Sequence, residues 1–130
     1  MRHLVIPAEL DGHPVTAVAD NAFMDWSALE SVVLPDTVTA IGDRAFMGCT
    51  RLESVDLPEG LRTIGEQAFF DTGLRKVIIP DSVISFGNQA FALLYPGDEL
   101  ELEIPRTAEL ITWCSTNRIP FTIRDSEPAE

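Results

Sequence analysis

The sequence has few cationic side chains, and this scarcity limits the kinds of partner. Its 130 residues include 9 Lys and Arg against 21 Asp and Glu, which gives a formal net charge of −12. No cluster of Lys or Arg reverses the acidity locally, so phosphate backbones and anionic lipid would be repelled at neutral pH. We therefore expect no nucleic acid and no anionic membrane as a partner, and the acidity itself favours solubility.

Long apolar stretches are missing as well. No segment reaches the roughly 18 consecutive apolar residues of a membrane-spanning helix. Near the amino terminus, Pro7 and Glu9 interrupt the stretch where a signal peptide needs unbroken apolar residues. We predict no membrane insertion, and we identify no signal peptide in this chain.

The residues that usually carry catalysis are scarce. The chain has two histidines, His3 and His13, and two cysteines, Cys49 and Cys114. It contains no Gly-rich phosphate loop and no CxxC or HExxH spacing, and a thiol nucleophile made of Cys114 and His13 would need opposite ends of the chain to meet. The sequence therefore predicts a protein that is not an enzyme, with no catalytic residues, no cofactor and no metal site.

A short phrase is repeated along the chain. IGDRAF at residues 41–46 recurs as IGEQAF at 64–69, with looser copies VADNAF at 18–23 and FGNQAF at 86–91. The phenylalanines of the copies are separated by 23, 23 and 22 residues: Phe23, Phe46, Phe69 and Phe91. A period of roughly 20 to 29 residues is typical of a leucine-rich-repeat solenoid. We predict that fold: a right-handed, β-rich coil of short parallel strands and short helical turns, with about four repeats of 22–23 residues and a carboxy-terminal helix–strand cap.

Each repeat contains a short strand with one apolar face. In LESVVLP, LESVDLP and LRKVIIP the apolar residues recur at fixed positions, such as Leu29, Val32 and Leu34, and a proline then ends the strand. The residues that flank the central apolar one should point outward, and we predict that they contact a partner: Ser31, Val33, Ser54, Asp56, Lys76, Ile78, Glu101 and Glu103. Val33 and Ile78 are notable because they are apolar where solvent is expected.

A glycine recurs further along each repeat, at Gly42, Gly65 and Gly87, with Ala19 in its place in the first copy. Either a positive φ or a close approach of the neighbouring coil would require glycine there. A polar residue follows, which suits the cap of a short helical turn that carries the Ala-Phe pair. Repetition also aligns acidic residues in two columns. The first column is Asp36, Glu59 and Asp81, and the second is Asp20, Asp43 and Glu66. Local capping and turn formation explain these columns best, with a calcium site as the alternative.

The pattern changes after Pro105. TAELITWCSTN places Leu110, Ile111 and Cys114 on one helical face, and IPFTI then predicts a short strand. Solenoids need such an atypical terminal unit to cover the open end of the core. We predict one domain over residues 1–124, with repeats at about 4–105 and a cap at 106–124, followed by a polar tail at 125–130.

The cysteines and tryptophans fit structural roles. More than two repeats separate Cys49 from Cys114, so at about 4.8 Å per coil their Cα atoms lie on the order of 10 Å or more apart, beyond the roughly 7 Å limit of a disulfide. We expect Cys49 to be a small buried residue and leave Cys114 open. Trp26 aligns with Cys49 and Thr72, which favours half-exposed packing over a ligand anchor, and Trp113 is expected in the core.

The repeat unit LPDTVTAIGDRAFMGCTRLESVDLP resembles the BspA-like leucine-rich-repeat family, over residues 4 to about 105. The ending AELITWCSTNRIPFTI is similar to the closing unit of that family. The resemblance implies a secreted or cell-surface protein of a host-associated bacterium or protist. It also implies a role in attachment to host proteins or to other cells.

The sequence as a whole favours a non-enzymatic protein–protein interaction module, part of a secreted or cell-surface adhesion-type protein. The alternative is a structural spacer or self-assembling segment, because the chain begins directly within the repeat pattern. A carbohydrate-binding surface is a weaker alternative, with Trp26 and Tyr95 as candidate aromatics. For stability, we expect the interior rings Phe46 and Phe69 to matter most and Phe91, beside the degraded fourth repeat, to matter less.

Overall fold

Short strands recur along the chain at the repeat period. The computed structural model describes residues 2–91 and 100–124. The elements in these ranges are β1 His3–Val5, β2 Glu9–Leu10, β3 His13–Pro14, β4 Ala17–Val18, β5 Ser31–Val33, β6 Ala40–Ile41, β7 Ser54–Asp56, β8 Thr63–Ile64, β9 Lys76–Ile78, β10 Ser85–Phe86, β11 Glu101–Pro105, α1 Ala108–Asn117 and β12 Phe121–Arg124.

These strands form the sides of a β-solenoid. We number the coils by their first strands: coil 1 begins with β1, coil 2 with β5, coil 3 with β7 and coil 4 with β9. One side holds two three-stranded parallel sheets, β1-β5-β7 and β9-β11-β12, and a second side holds the four-stranded parallel sheet β4-β6-β8-β10. Equivalent residues pair, for example Val32 with Val55, because the repeat length brings each residue above its counterpart. The predicted solenoid is confirmed.

The phenylalanines of successive coils stack on a third side of the solenoid. Ring centroids lie 5.3 Å apart between Phe23 and Phe46, 5.3 Å between Phe46 and Phe69, and 5.2 Å between Phe69 and Phe91. The backbone follows the same spacing, since the Phe46 N–H donates to the Ala68 carbonyl at 2.8 Å. Phe46, Phe69 and Phe91 are buried, and Phe23 at the open end of the stack is half-buried.

The recurring glycine is required by the close approach of the neighbouring coil. A Cβ added at Gly65 would lie 2.8 Å from the Asp43 nitrogen and 2.8 Å from the Gly42 carbonyl carbon, both in the preceding coil. None of Gly42, Gly65 and Gly87 has a positive φ. Of the two reasons that the sequence allowed, close approach is therefore the correct one.

The left-handed backbone position lies two residues later, immediately before each alanine. Asn21, Arg44, Gln67 and Gln89 have φ of 62°, 58°, 56° and 56°. Each Ala-Phe segment consequently forms a series of hydrogen-bonded turns rather than one continuous helical turn. The backbone N–H of Arg44 donates to the Glu66 carbonyl oxygen of the next coil at 2.9 Å, and such bonds offset the roughly 1–2 kcal/mol that this conformation costs a non-glycine residue.

The acidic residue after the glycine connects two coils. The Asp43 N–H donates to Asp20 Oδ1 at 2.8 Å, and the Glu66 N–H donates to Asp43 Oδ1 at 2.9 Å. These carboxylates accept backbone hydrogen bonds from the next coil, 23 positions along the chain, whereas the local capping expected for this column would place the donor in the same turn.

Strands β7 and β9 belong to different sheets, so the first side of the solenoid is interrupted between coils 3 and 4. The connection that precedes β9 is one residue shorter than its equivalents: Phe69 to Leu74 spans five positions, whereas Phe46 to Leu52 spans six. We attribute the interruption to this deletion, since it changes how the chain enters β9. Val55, the central residue of β7, is only half-buried.

Coil 1 differs from the others by a hairpin. Strands β2 and β3 pair antiparallel around Asp11 and Gly12, whose φ values are 52° and 81°. Positive φ at both central residues is the signature of a two-residue hairpin turn, and Asp-Gly is a preferred sequence for it. The hairpin occupies the stretch between Pro7 and Val15, where the later coils have only a short turn.

Helix α1 and strand β12 cover the carboxy-terminal end of the core. Trp113 of α1 packs edge-on against Phe86, with ring centroids 4.8 Å apart, and against Phe91 at 6.5 Å. Trp113 is half-buried against the core, and Leu110 and Cys114 are buried beneath the helix. Phe91 is therefore as buried as Phe46 and Phe69, although the sequence led us to expect that it matters less for stability. The predicted polar tail at 125–130 lies outside the described residues.

Both cysteines are free thiols and fully buried. The Cys49 thiol donates to the Phe23 carbonyl at 3.1 Å, in agreement with the small buried role expected from the sequence. Burial raises the pKa of Cys49 from 9.0 to about 11 and the pKa of Cys114 from 9.0 to about 11.

Truncation of the ring stack should be costly at every buried position. We expect Phe46→Ala, Phe69→Ala and Phe91→Ala each to lower the free energy of unfolding by about 3–5 kcal/mol, because each opens a cavity between two packed layers. Phe23→Ala should cost less, since this ring is half-buried. Urea denaturation measures all four, and a loss of less than about 1 kcal/mol at Phe46 would contradict the stacked arrangement.

A methyl group at the glycine column should also destabilise the fold. We expect Gly65→Ala to cost about 1–3 kcal/mol, because its Cβ overlaps the backbone of coil 2 and the coils must separate to admit it. The matched control is Ala19→Gly, beneath which no other coil of the described residues lies; its effect should stay within about 1 kcal/mol. Equal effects of the two variants would show that the close approach does not limit packing.

The buried thiols should make stability fall in alkali. Their pKa is higher in the folded than in the unfolded chain, so their contribution is complete below pH 9 and is lost as the pH rises towards 11. We expect a loss of up to about 3 kcal/mol per thiol over that range. Cys114→Ala should have a correspondingly flatter curve of unfolding free energy against pH than the wild type, and parallel curves would exclude the effect.

Candidate interaction surface

The residues predicted to contact a partner lie on the first side of the solenoid. Ser31 pairs with Ser54 and Val33 with Asp56 between β5 and β7. Glu101 pairs with Lys76 and Glu103 with Ile78 between β11 and β9. We call the outward side of β1, β5, β7, β9 and β11 the strand face. The sheet interruption divides it into a part on β1, β5 and β7 and a part on β9 and β11.

Apolar side chains are exposed on both parts of the strand face. Val33 is 39% exposed and Ile78 is 57% exposed. Val5 of β1, which the sequence interpretation missed, is 69% exposed and pairs in register with Val33. The available signal was HLVIP at residues 3–7, whose Leu4 and Ile6 match the inward pattern of the later strands.

The polar residues of the strand face differ in whether they already bind another residue of this chain. Glu103 is already engaged, because Arg124 of the cap donates to its carboxylate at 3.1 Å, to Asp81 at 2.7 Å and to the Ile79 carbonyl at 2.6 Å. The hydrogen bond to Asp81, with further support from Glu103, raises the pKa of Arg124. Glu103 therefore serves to hold the cap in place.

Lys76 and Asp56 are exposed and lie on either side of the sheet interruption. Lys76 is the single lysine of the sequence, since the other eight cationic residues are arginines. Its amine is thus a unique chemical handle on the strand face, apart from the amino terminus.

The structure does not bring Cys114 and His13 together. His3 Nδ1 and Ser31 Oγ share a hydrogen bond of 2.7 Å on the strand face. His13 is exposed in the hairpin, whereas Cys114 is buried under the cap. Within residues 2–91 and 100–124, no three His, Cys, Asp or Glu side chains are grouped so that they could hold a metal ion.

Of the two aromatic residues considered for carbohydrate binding, Trp26 lies within the described residues. Trp26 is half-buried and stacks on Phe23, with centroids 5.8 Å apart, as expected for a packing role. Tyr95 lies outside the described residues. In the described part of the chain, no helix has the length and apolar character needed to cross a bilayer.

Comparison with known proteins agrees with the fold. The profile of the BspA type leucine rich repeat region, in 6 copies, matches residues 16–111. No protein in a curated set of sequences matches the chain.

Several solved bacterial structures are similar to this chain. A leucine rich repeat protein of T. pallidum is 32% identical over 78% of this chain and 57% of its own, with a TM-score of 0.61. A leucine-rich repeat protein of Bacteroides capillosus is 34% identical over 72% of this chain and 73% of its own, with a TM-score of 0.60. A leucine rich cell surface protein of Faecalibacterium prausnitzii is 26% identical over 79% of this chain and 38% of its own, with a TM-score of 0.56.

The chain spans little more than half the length of the T. pallidum protein and a smaller share of the Faecalibacterium protein. The profile match covers well over half of this chain, and it falls on the coils whose glycine, phenylalanine and strand positions are described above. This chain therefore belongs to the BspA-type leucine-rich-repeat family.

Proposed function

We propose that this chain is a non-enzymatic protein-interaction module that contacts its partner through the strand face. The observation that carries the proposal is the exposure of Val5, Val33 and Ile78 on a surface whose inward positions are fixed by the core. In repeat proteins the residues between the fixed positions vary freely and form extended binding surfaces. Apolar side chains among polar ones on such a surface are typical of contact sites.

The proposal extends to Ser31, Ser54, Asp56, Lys76 and Glu101, which surround the exposed apolar residues. Glu103 contributes less, because Arg124 already neutralises and orients its carboxylate. The surface is neither strongly basic nor strongly apolar, so we expect a protein partner with mixed polar and apolar contacts.

We further propose that the module is part of a secreted or cell-surface protein with an adhesion role. The support is the family and the similarity to a protein described as a leucine rich cell surface protein. A structural spacer or self-assembling segment is the rival function, and the half-buried Leu4, Phe23 and Trp26 of coil 1, which the described residues cover only in part, favour it. Sedimentation velocity at increasing concentration distinguishes the two, since a monomer throughout contradicts self-assembly.

The strand face can be tested with variants that spare the core. We expect the double variant Val33→Ser, Ile78→Ser to weaken binding to a captured partner at least about tenfold, which corresponds to about 1.4 kcal/mol. The control is Ile84→Ser, because Ile84 is also an exposed isoleucine, at 52%, but precedes β10 on the other side. The binding assay uses an array of purified extracellular proteins.

A photocrosslinker attached to Lys76 provides an independent measurement. It should transfer to the same partner that the array identifies, because Lys76 is exposed on the strand face. The strand-face proposal is wrong if the array gives no binder, or if Ile84→Ser weakens binding as much as the double variant does.

A further inference from the structure

The cap residue Arg124 is bound by three acceptors of the solenoid. Its Nη1 donates to Glu103 Oε2 at 3.1 Å. Its Nη2 donates to Asp81 Oδ1 at 2.7 Å and to the Ile79 carbonyl at 2.6 Å. This carbonyl is available because the residue of β11 that a parallel ladder would pair with it is Pro105, which has no N–H to donate.

Coil 2 repeats the local sequence that holds the first carboxylate of this site. VVLPD at residues 32–36 matches VIIPD at residues 77–81, so Asp36 follows its strand at the same distance as Asp81. Both turns are closed by a hydrogen bond of 3.2 Å to the proline carbonyl from the N–H three residues later. Asp36 therefore occupies the position in coil 2 that Asp81 occupies in coil 4.

The second carboxylate is repeated on the neighbouring strand. Asp56 pairs with Val33 between β5 and β7, just as Glu103 pairs with Ile78 between β9 and β11. Val33 and Ile78 are both exposed and apolar. Each carboxylate consequently lies beside a side chain on which the aliphatic stem of an arginine can pack.

The Leu34 carbonyl repeats the third acceptor. The Leu34 N–H donates to the Asp56 carbonyl at 3.3 Å, and the next donor of a parallel ladder is missing because that residue is Pro58. Among the described residues, no N–H donates to the Leu34 carbonyl. Asp36 and Asp56 are exposed, and in the same part of the chain no cationic side chain pairs with either carboxylate.

The arrangement at the cap indicates the chemistry of a ligand for these acceptors. Arg124 bridges its two carboxylates with two nitrogens of one planar group, which a guanidinium provides and the single nitrogen of lysine does not. At the same two positions, coils 1 and 2 have Ala8 and Val33, and coils 3 and 4 have Glu59 and Ile78. Among the coils of the described residues, a second pair of carboxylates therefore occurs only between coils 2 and 3.

We propose that Asp36, Asp56 and the Leu34 carbonyl bind the guanidinium of an arginine side chain of the partner protein. We call these three acceptors the Asp36–Asp56 site. The partner's arginine takes the place that Arg124 takes at the cap, with its stem packed on Val33, and two unpaired carboxylates attract it electrostatically. The inference rests on the proposed function, because the site lies beside the strand face where β5 and β7 end.

The probe is the synthetic peptide acetyl-GLRLG-amide, which presents one arginine between two leucines. It is titrated at low salt into the isotope-labelled protein, and the NMR shifts of the backbone amides and side-chain carboxylates are followed. We expect the shifts of Asp36 and Asp56 to saturate with a Kd on the order of 1 mM. The lysine analogue should bind at least about fivefold more weakly, and the uncharged citrulline analogue should give no saturating shift.

Single substitutions in the protein test the two carboxylates. Asp36→Asn and Asp56→Asn each remove one charge at an exposed position, and each should weaken peptide binding at least about fivefold. The matched control is Glu59→Gln, which removes one charge from the same column as Asp36 in a coil where Ile78 replaces the second carboxylate. This control should change the Kd less than about twofold.

Four results would overturn the proposal. They are the absence of saturation at about 10 mM peptide, equal binding of the lysine analogue, equal weakening by Glu59→Gln, and displacement of the peptide by calcium chloride at about 1 mM, which would indicate a metal site. The four results cover the affinity of the site, its preference for a guanidinium, its position and its selectivity against a metal ion.

The strand-face proposal is judged separately. If the partner from the array binds the double variant Asp36→Asn, Asp56→Asn as tightly as the wild type, while Val33→Ser, Ile78→Ser weakens binding, the arginine site is wrong and the strand face stands. If the array gives no binder, the strand-face proposal fails. The peptide titration still decides whether the Asp36–Asp56 site binds arginine, because it needs no partner from the array.

Discussion

The stacking of each coil on the next is the contact on which the rest of the structure depends. No coil has a core of its own, because Phe46 is buried only when Phe23 and Phe69 lie on either side of it. The same spacing is maintained by the bonds between Phe46 and Ala68 and between Gly65 and Ile41. Stability in such a molecule is a sum over neighbouring coils, so each interface can be weakened by a single change.

The stacking of the coils also determines which residues of the strand face can vary. Once the inward positions are committed to the core, the outward positions of the strands are free to vary without cost to folding, and here they include Val5, Val33 and Ile78. Two parts of the structure differ from the repeating unit. After coil 4, α1 and Arg124 close the core, and coil 1 contains Ala19 and the β2–β3 hairpin.

Much of the fold was predictable because repetition is visible in one sequence. The positions of Phe46 and Phe69, the inward strand residues, the helix and strand of the cap, and the unpaired cysteines all follow from period and register. The outward residues could be named for the same reason, since alternation along a strand assigns each side chain to a face. Val5 was missed because the hairpin in coil 1 displaces the first strand from the regular spacing.

The period, the class of fold and the identity of the core side chains could be predicted from the residues alone, because these depend on local pattern and on equal spacing. The structural role of each recurring position is visible only in the tertiary structure. Gly65 has an ordinary φ and is needed only because another coil lies against it, while the left-handed conformation falls on Gln67, which has no local preference for it. The engagement of Glu103 by Arg124 was likewise decided only in three dimensions, because it depends on a contact between residues that no repeat relates.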